Sequence, residues 1–269
     1  MTHSIDLLDE NENEKESPYY KIQSVDRTLQ ILKCFIQEKR ALGVSEIARM
    51  LGLNRSAVHR FLLTLKDHGF VEQLKDSDRY LIGPTAFELG SVYTNSTDLS
   101  VEGRKVLADL VQQTGYLAHL AILDRDSVLY LINVEPDHRQ YLFGAVGQRR
   151  VIYNTGLGKC LTAWLPEAQI RSIMKECRFE KVTPHTIGSL DEFLQELERV
   201  RQQGFAVDNQ EAQIGSQCVA APILGHRGDV VAAISVSGFG ISDAKLQELS
   251  LSIRISAAQL SRRMGYSGH

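Results

Sequence analysis

The sequence is poor in the residues that build disulfide or metal scaffolds. Its 269 residues include one tryptophan, six prolines and four cysteines. The cysteines, Cys34, Cys160, Cys177 and Cys218, are scattered, and no CxxC or Cys/His cluster occurs. We therefore expect neither a disulfide framework nor a zinc site, and we predict no metal and no cofactor. A reduced, cytoplasmic setting fits this pattern.

Long apolar runs are also missing. No run approaches the roughly 18 residues that a transmembrane helix needs, so we expect no membrane partner. The first residues lack the basic and apolar regions of a signal peptide. Residues 1–18 hold one lysine and six acidic residues, and their composition predicts a disordered acidic tail.

Charge is distributed unevenly around a net value of −3. Residues 19–90 carry eleven basic and eight acidic residues, whereas residues 91–269 carry eighteen basic and nineteen acidic residues. The small basic excess in the N-terminal third would bind a polyanion well only if several copies of the chain acted together.

Residues 43–68 have the pattern of two short helices joined by a tight turn. Ser45 is expected to cap the first helix and Gly52 to end it. The second helix has an apolar stripe at helical spacing, formed by Val58, Phe61, Leu62 and Leu65. Such a pair of helices is typical of a helix-turn-helix, and a solvated helical hairpin is the alternative.

The opposite face of the second helix carries small and hydrogen-bonding side chains. Ser56 and Arg60 lie on this face, with Ala57 and His59 on its flanks. A face of this kind near a helix N-terminus suits base edges in a major groove. Ser45, at the start of the preceding helix, is a further candidate for contact with DNA.

A β-hairpin wing is predicted directly after these helices. The segments Phe70–Gln73 and Arg79–Ile82 are strand-like, and Lys75 and Arg79 are candidates for phosphate contacts. Upstream, a first helix capped by Ser24 is predicted from an apolar stripe formed by Val25, Leu29, Leu32 and Ile36. Three helices and a wing make a winged helix-turn-helix.

The remainder predicts an α+β domain built on an antiparallel sheet. We expect a tail over residues 1–18, a winged helix over 19–83, a linker helix over 84–96 and the second domain over 97–269. Within the second domain, strands are predicted over 116–123, 128–134, 218–224 and 229–237. Helices are predicted from a cap at Thr97 or Asp98 to about residue 113, over 156–165, over 190–203 and over about 242–263.

Two of these strands carry small residues in alternation. Ser216, Cys218 and Ala220 fall on one face of the first, and Ala233, Ser235 and Ser237 fall on one face of the second. These residues could line a small-molecule cavity, or they could simply let a helix pack closely.

Signals for catalysis are weak. The stretch TGLGK at 155–159 does not meet the phosphate-loop pattern, and its glycines suit a helix start. His119 lies in an apolar strand, as a core histidine or as a ligand-facing one. Arg149 and Arg150 could pair with an anionic ligand, although a solvated turn is favoured.

The chain resembles the IclR family of transcriptional regulators over nearly all of residues 20–262. The first part of the resemblance lies in IQSVDRTLQIL (22–32), SEIARMLGLNRSAVHRFLLTL (45–65) and YLIGPTAFELG (80–90). The second lies in TGLGKCLTAWLP (155–166), RQQGFAVDNQEAQIGSQCVAAPI (201–223) and AAISVSG (232–238). Two domain-specific blocks in the right order make the resemblance specific.

The resemblance implies a GAF/PAS-like effector-binding domain and assembly into dimers or dimers of dimers. It also implies double-stranded DNA with a near-palindromic operator as one partner and a small organic, sugar or aromatic acid as another. A repressor is the expected role, and an activator of the same class is the alternative. Two rivals remain: an enzyme that uses the second domain, and a DNA-binding module whose second domain only assembles copies.

The resemblance also assigns residues. It places Arg55, Ala57 and Arg60 at DNA-facing positions, where relatives often carry Thr in place of Ala57. It places the effector pocket at Gly156, Leu157, Asp208, Cys218, Ser235 and Ser237, which favours the cavity interpretation of the two strands. The turn at 208–211 departs from the more acidic D-x-E-E form of the family, which leaves the role of that turn open.

Overall fold

A computed structural model describes residues 22–75, 77–96, 98–136 and 146–268. The expected acidic tail lies outside the described residues. The chain divides into two compact units, Met1–Ser91 and Val92–His269. The division falls inside the helix that we expected as a linker over 84–96, rather than after it.

The first unit is a small helical domain with a three-stranded antiparallel sheet. Its elements are α1 (Gln23–Glu38), β1 (Leu42–Gly43), α2 (Val44–Leu51), α3 (Arg55–Asp67), β2 (Val71–Gln73), β3 (Arg79–Ile82) and the beginning of α4 (Pro84–Ser96). The strand order is β1-β3-β2, so the short β1, which the sequence did not predict, extends the wing. Val58, Leu62 and Leu65 of α3 are buried in the core, as their spacing predicted.

The helix caps differ from two expectations. Gly43 is the N-cap of α2, and Oε2 of Glu46 accepts the Gly43 N–H at 2.9 Å, so Ser45 lies inside the helix. Ser24 likewise lies inside α1, whose N-cap is Ile22. Both serines were assigned as caps because a hydroxyl suits that position, but the N-cap lies two residues earlier in each case.

The apolar stripe predicted for α1 does not form the core. Val25 and Leu29 are each 52% exposed and Ile36 is 61% exposed. Ile31, Cys34 and Phe35 are buried in their place, on a neighbouring face of the same helix. The helix is therefore apolar on two faces, of which this unit buries only one.

The second unit is a six-stranded antiparallel sheet with helices on both faces. Its elements are α5 (Asp98–Thr114), β4 (Leu117–Asp124), β5 (Ser127–Val134), β6 (Arg149–Arg150), α6 (Gly156–Thr162), α7 (Glu167–Ile173), α8 (Leu190–Gln203), β7 (Ala206–Asn209), β8 (Ser216–Leu224), β9 (Val230–Phe239) and α9 (Asp243–Arg263). The sheet order is β6-β5-β4-β9-β8-β7. The mixed α+β architecture predicted from the sequence is confirmed.

Two hydrophobic cores lie on opposite faces of this sheet. One packs α5 and α9 against residues such as Leu120, Ile234 and Val236. The other packs α6, α7 and α8 against the alternate residues of the same strands, including Ala220 and Ala233. The sequence did not predict β6, β7 or α7, because each is short and two of them lie at sheet edges.

No described helix combines the length and the apolar character that a bilayer crossing requires.

Candidate functional site

A groove in the first unit is lined by the start of α2, the start of α3 and the wing. It brings together five of the residues predicted to face DNA, namely Ser45, Arg55, Ser56, His59 and Arg79. Its volume is about 600 Å³. The polar side chains lie beside the N-terminus of α3, where base edges would be read.

The other predicted DNA contacts lie around this groove. Arg60 is exposed on α3 and Ala57 is half-buried, and neither lines the groove. Lys75 is exposed on the wing, beside Lys66 and Ser77. These residues remain predictions as DNA contacts.

Glu46 ties the wing to the helix-turn-helix. Its carboxylate forms ion pairs with Arg40 at 3.0 Å and with Arg79 at 2.9 Å, while it also accepts the Gly43 N–H. Arg79 donates a second hydrogen bond to the carbonyl of Ala41 at 2.9 Å. These partners lower the pKa of Glu46, first the Gly43 amide and then Arg40. In the absence of DNA, the Arg79 side chain is therefore held in place by the protein itself.

In the second unit, the seven residues predicted to bind an effector surround one cavity. The volume of this cavity is about 60 Å³. The predicted residues in its wall are His119, Gly156, Leu157, Asp208, Cys218, Ser235 and Ser237. They come from β4, the start of α6, and β7, β8 and β9, so the fold unites positions that are more than 100 residues apart.

Strand register explains why these residues share a face. Cys218 is paired with Ser237 in β8 and β9, and Asp208 is paired with Cys218 in β7 and β8. Directly paired residues point to the same side of a sheet. The alternation inferred from the sequence is confirmed, and α6 covers the same face.

The start of α6 approaches the sheet closely because it is rich in glycine. An added Cβ on Gly156 would lie 3.3 Å from Sγ of Cys218, and one on Gly158 would lie 2.2 Å from the carbonyl oxygen of Ile152. Oγ1 of Thr155 accepts the N–H of Gly158 and caps the helix. Close packing and cavity formation, which the sequence presented as alternatives, therefore occur together.

His119 lines the cavity, and both of its ring nitrogens have hydrogen-bond partners. Its Nδ1 lies 2.9 Å from Oδ1 of Asn133, and its Nε2 lies 3.1 Å from Oγ of Ser237. Burial lowers the pKa of His119 to about 4. The imidazole is therefore neutral at pH 7.

Burial also shifts the acidic groups of the cavity wall. Desolvation raises the pKa of Asp208 to about 7 and that of the Cys218 thiol to about 12, and the Asp208 charge adds to the second shift. Oγ of Ser235 is fully buried and has no oxygen or nitrogen partner among the described residues. The cavity wall therefore offers polar groups whose charge is suppressed, together with a buried hydroxyl whose hydrogen-bonding neighbour is the Cys218 thiol.

A buried cation behind the cavity was missed in the sequence. Lys159 is 1% exposed, and its Nζ donates to Oε1 of Glu211 at 2.5 Å, to the carbonyl of Val207 at 2.8 Å and to Oε1 of Glu196 at 3.1 Å. It joins α6 to α8 and to the turn after β7. Nothing in the sequence around Lys159 indicates that this lysine is buried. The sequence does show an acidic residue, Glu211, three positions after Asp208, but not that it pairs with Lys159.

The neighbouring turn is held by the same cluster. Oδ1 of Asp208 accepts the Glu211 N–H at 2.7 Å, and the hydroxyl of Thr186 donates to the Glu211 carbonyl at 2.7 Å. Burial raises the pKa of Glu211, and Lys159 opposes that shift. The turn that departs from the family pattern is thus anchored at both its ends.

Arg150 was favoured as part of a solvated turn, and that interpretation is wrong. It is half-buried in β6 and lines the cavity, because β6 pairs with β5 at the edge of the sheet. Arg149 faces away and pairs with the carboxylate of Asp124. No local pattern of residues indicates a two-residue strand at this point.

Both units match known proteins. The family described as IclR helix-turn-helix domain matches residues 24–75, and the family described as Bacterial transcriptional regulator IclR C-terminal matches residues 91–262. The chain is 32% identical to the HTH-type transcriptional regulator XynR of Escherichia coli over 91% of this chain and 98% of that protein. It is 35% identical to the HTH-type transcriptional regulator BhcR of Paracoccus denitrificans, over 89% of this chain and 86% of that protein.

Solved structures agree with these matches. The crystal structure of an IclR transcriptional regulator from Alicyclobacillus acidocaldarius superposes with a TM-score of 0.82 at 28% identity. The match covers 91% of this chain and all of that one. The helix-turn-helix and the cavity-bearing domain therefore occur together here as they do in known regulators, and the chain belongs to the IclR family of transcriptional regulators, with a DNA-binding domain and a C-terminal effector-binding domain.

Proposed function

We propose that this regulator represses a metabolic operon and that a small organic acid in the cavity of the second unit changes its affinity for DNA. One observation carries the proposal. Seven residues assigned to an effector pocket from the sequence alone line the same cavity, although they span His119 to Ser237. A chance collection of core positions would be scattered over both faces of the sheet.

The size of the cavity favours a small ligand. A water needs about 10–15 Å³ of cavity volume, so about 60 Å³ corresponds to roughly four to six waters. This volume favours an acid with about that many non-hydrogen atoms over a larger aromatic or sugar acid. Arg150 supplies a positive charge in the wall for a carboxylate.

The first unit supports sequence reading by a dimer. Arg55, Ser56 and His59 line the groove at the start of α3, the helix that would enter the major groove. On α1 an exposed apolar seam runs through Ile22, Val25, Leu29 and Ile36, with the half-buried Leu32 between the last two. Spacings of three and four residues are those of a helix–helix seam, so we assign it to a second copy of the chain.

A dimer places two copies of α3 on successive major grooves of a near-palindromic operator. It also doubles the phosphate contacts that Lys75 and Arg79 would make, which offsets the small basic excess of one chain. Binding to chromosomal DNA implies a cytoplasmic location. An activator would use the same surfaces, because the sign of regulation depends on where the operator lies relative to the promoter.

Selection of operators from genomic DNA tests the proposal. The purified protein is mixed with fragmented DNA of its own organism, with and without a metabolite extract, and the retained fragments are sequenced. We expect a near-palindromic site beside a metabolic operon, and its release by extract. Fragments retained without any shared sequence would argue against a sequence reader.

A substitution in the cavity separates the two activities. Ser235→Leu fills the cavity from its most buried polar position, so the variant should keep operator affinity and lose the effector response. Ser172→Ala, on the exposed surface, is the matched control. A retained response in Ser235→Leu would place the effector elsewhere.

A further inference from the structure

His119 stands in the middle of a chain of hydrogen bonds that ends at the cavity wall. Asn133 of β5 lies at one end, 2.9 Å from Nδ1, and Ser237 of β9 lies at the other, 3.1 Å from Nε2. The ring is 3% exposed and packs edge-on against Tyr130, with ring centroids 5.2 Å apart. The imidazole is held in one orientation, so the ring nitrogen that carries the hydrogen determines which atom donates in each of the two hydrogen bonds.

The donors and acceptors in these two hydrogen bonds follow from the chemistry of Asn133 and Ser237. An amide oxygen only accepts, so Nδ1 of His119 carries the hydrogen and donates it to Oδ1 of Asn133. The ring is neutral at pH 7, which leaves Nε2 as an acceptor. The hydroxyl of Ser237 therefore donates its hydrogen to Nε2. Only the lone pairs of that oxygen remain for a molecule in the cavity.

We propose that Asn133 is a positioning residue that fixes the tautomer of His119 and so makes Ser237 an acceptor, which selects a hydroxyl of the effector over a carbonyl or ether oxygen. The inference rests on the proposed function, because it takes the cavity as the effector site. A ligand hydroxyl donates to Ser237, whereas a carbonyl oxygen would bring lone pairs against lone pairs. The ligand class is a small acid that carries a hydroxyl.

A second acceptor lies in the same row of the sheet. Asp208 is paired with Cys218, which is paired with Ser237, so Asp208 and Ser237 project from the same face two strands apart. One oxygen of Asp208 already accepts the Glu211 N–H. With Ser237 donating inward to His119, Ser237 faces the ligand as an acceptor. The raised pKa of Asp208 leaves this carboxyl partly protonated near pH 7, so a ligand hydroxyl, which both donates and accepts, suits either residue.

The tautomer is measured without any ligand. Full-length protein labelled with ¹⁵N in its histidines is examined by long-range ¹H–¹⁵N NMR at pH 7, and His119→Gln assigns the signal. We expect the neutral Nδ1–H form. Asn133→Asp keeps an acceptor at Nδ1 and should keep this form, while Asn133→Leu removes the acceptor and should release it. An Nε2–H form in the unaltered protein overturns the proposal.

Selectivity is measured with matched probes. D-lactate, L-lactate and pyruvate have the same carbon skeleton, and only the lactates carry a hydroxyl donor. We expect the better lactate to bind about tenfold more tightly than pyruvate by calorimetry, which corresponds to one hydrogen bond of ordinary strength. Asn133→Leu and Ser237→Ala should bring the ratio close to one, while Asn133→Asp and the surface control Ser172→Ala should preserve it.

The outcomes separate the two proposals. Equal affinity for lactate and pyruvate, or tighter binding of pyruvate, overturns the role of Asn133 and Ser237. Binding of none of the three acids counts against the cavity as a site for small acids, and so against the proposed function. The NMR measurement then still decides the role of Asn133.

Discussion

Each unit of this chain holds a cluster of three charged side chains, and one cluster is exposed to water while the other is buried. Glu46 pairs with Arg40 and Arg79, whose side chains are 48% and 45% exposed. Lys159 pairs with Glu211 and Glu196 while it is 1% exposed. Both clusters join three segments of chain, but the charges are reversed: a carboxylate lies between two cations in the first, and a cation lies between two carboxylates in the second.

The difference in solvent exposure indicates what each cluster is suited to do. Exposed ion pairs exchange readily with water and salt, so Arg79 can leave Glu46 for a phosphate at little cost. A buried cluster does not exchange, because removal of one member leaves a charge without compensation in a poorly solvated site. The first cluster suits a surface that engages DNA, and the second suits the wall of a cavity.

The largest effect is expected from Lys159→Met. Loss of the buried cation leaves the Glu211 carboxylate without an ion-pair partner, while Glu196 keeps its ion pair with Arg199, and the free energy of unfolding should fall by about 3–5 kcal/mol. Urea denaturation followed by circular dichroism measures this. The exposed Lys175→Met is the matched control and should change little. A loss below about 1 kcal/mol in Lys159→Met would mean that burial does not separate the two clusters.

The pH dependence of stability gives the next test. The folded-state pKa of Asp208 is raised to about 7 from 3.8, so the folded state holds an extra proton and stability falls as pH rises between these values. The pKa of His119 is lowered to about 4 from 6.5, so its contribution rises with pH over that window. The two opposing contributions offset each other from about pH 4 to 6.5.

Asp208→Asn removes one of these contributions and keeps an acceptor for the Glu211 N–H. Relative to the unaltered protein, stability should then rise more steeply with pH between 4 and 6.5, by at most about 1.4 kcal/mol per pH unit for one proton. Denaturation midpoints at pH 4.5, 5.5 and 6.5 measure the slope. Parallel curves for the two proteins would contradict the assigned shift of Asp208.

A smaller effect is expected from the exposed arginine of α3. Arg60→Ala should cost about 1–3 kcal/mol of operator binding if the side chain reads a base, and should leave unfolding unchanged. Fluorescence anisotropy with the selected operator and with its single-base variants measures both affinity and preference. Unchanged affinity and unchanged preference would remove Arg60 from the reading face.

The smallest effect is expected from Glu46→Gln. The amide oxygen still accepts the Gly43 N–H, and the two lost ion pairs lie in solvent, so the urea midpoint should stay near that of the unaltered protein. The same denaturation experiment checks this beside Lys159→Met. A comparable loss in both variants would erase the contrast between the clusters.

The sequence predicted what depends on short-range patterns. The stripe of α3 and the alternation of β8 and β9 are read within ten residues or so, and the structure confirms both. The α8 helix was predicted with its observed bounds, and in the structure Ser189 caps its start and Gly204 ends it. The family resemblance added the grouping of distant cavity residues, which spacing alone left open.

What the sequence did not predict depends on long-range packing. The burial of Lys159 follows from Glu196 and Glu211, which lie 37 and 52 positions away. The exposure of Val25 and Leu29 follows from which face of α1 meets α2 and α3, and both faces are apolar. Arg150 reaches the cavity through a two-residue strand that no local pattern marks.

The alternation of side chains along β8 and β9 gives the two faces of the sheet in the second unit different roles. Residues on one side, such as Val219 and Val236, pack against α5 and α9, while Cys218 and Ser237 on the other line the cavity. A lineage could therefore change its ligand by single substitutions on one side without repacking the other. Such a sheet is an evolvable sensor, in which a new chemical preference need not disturb the rest of the fold.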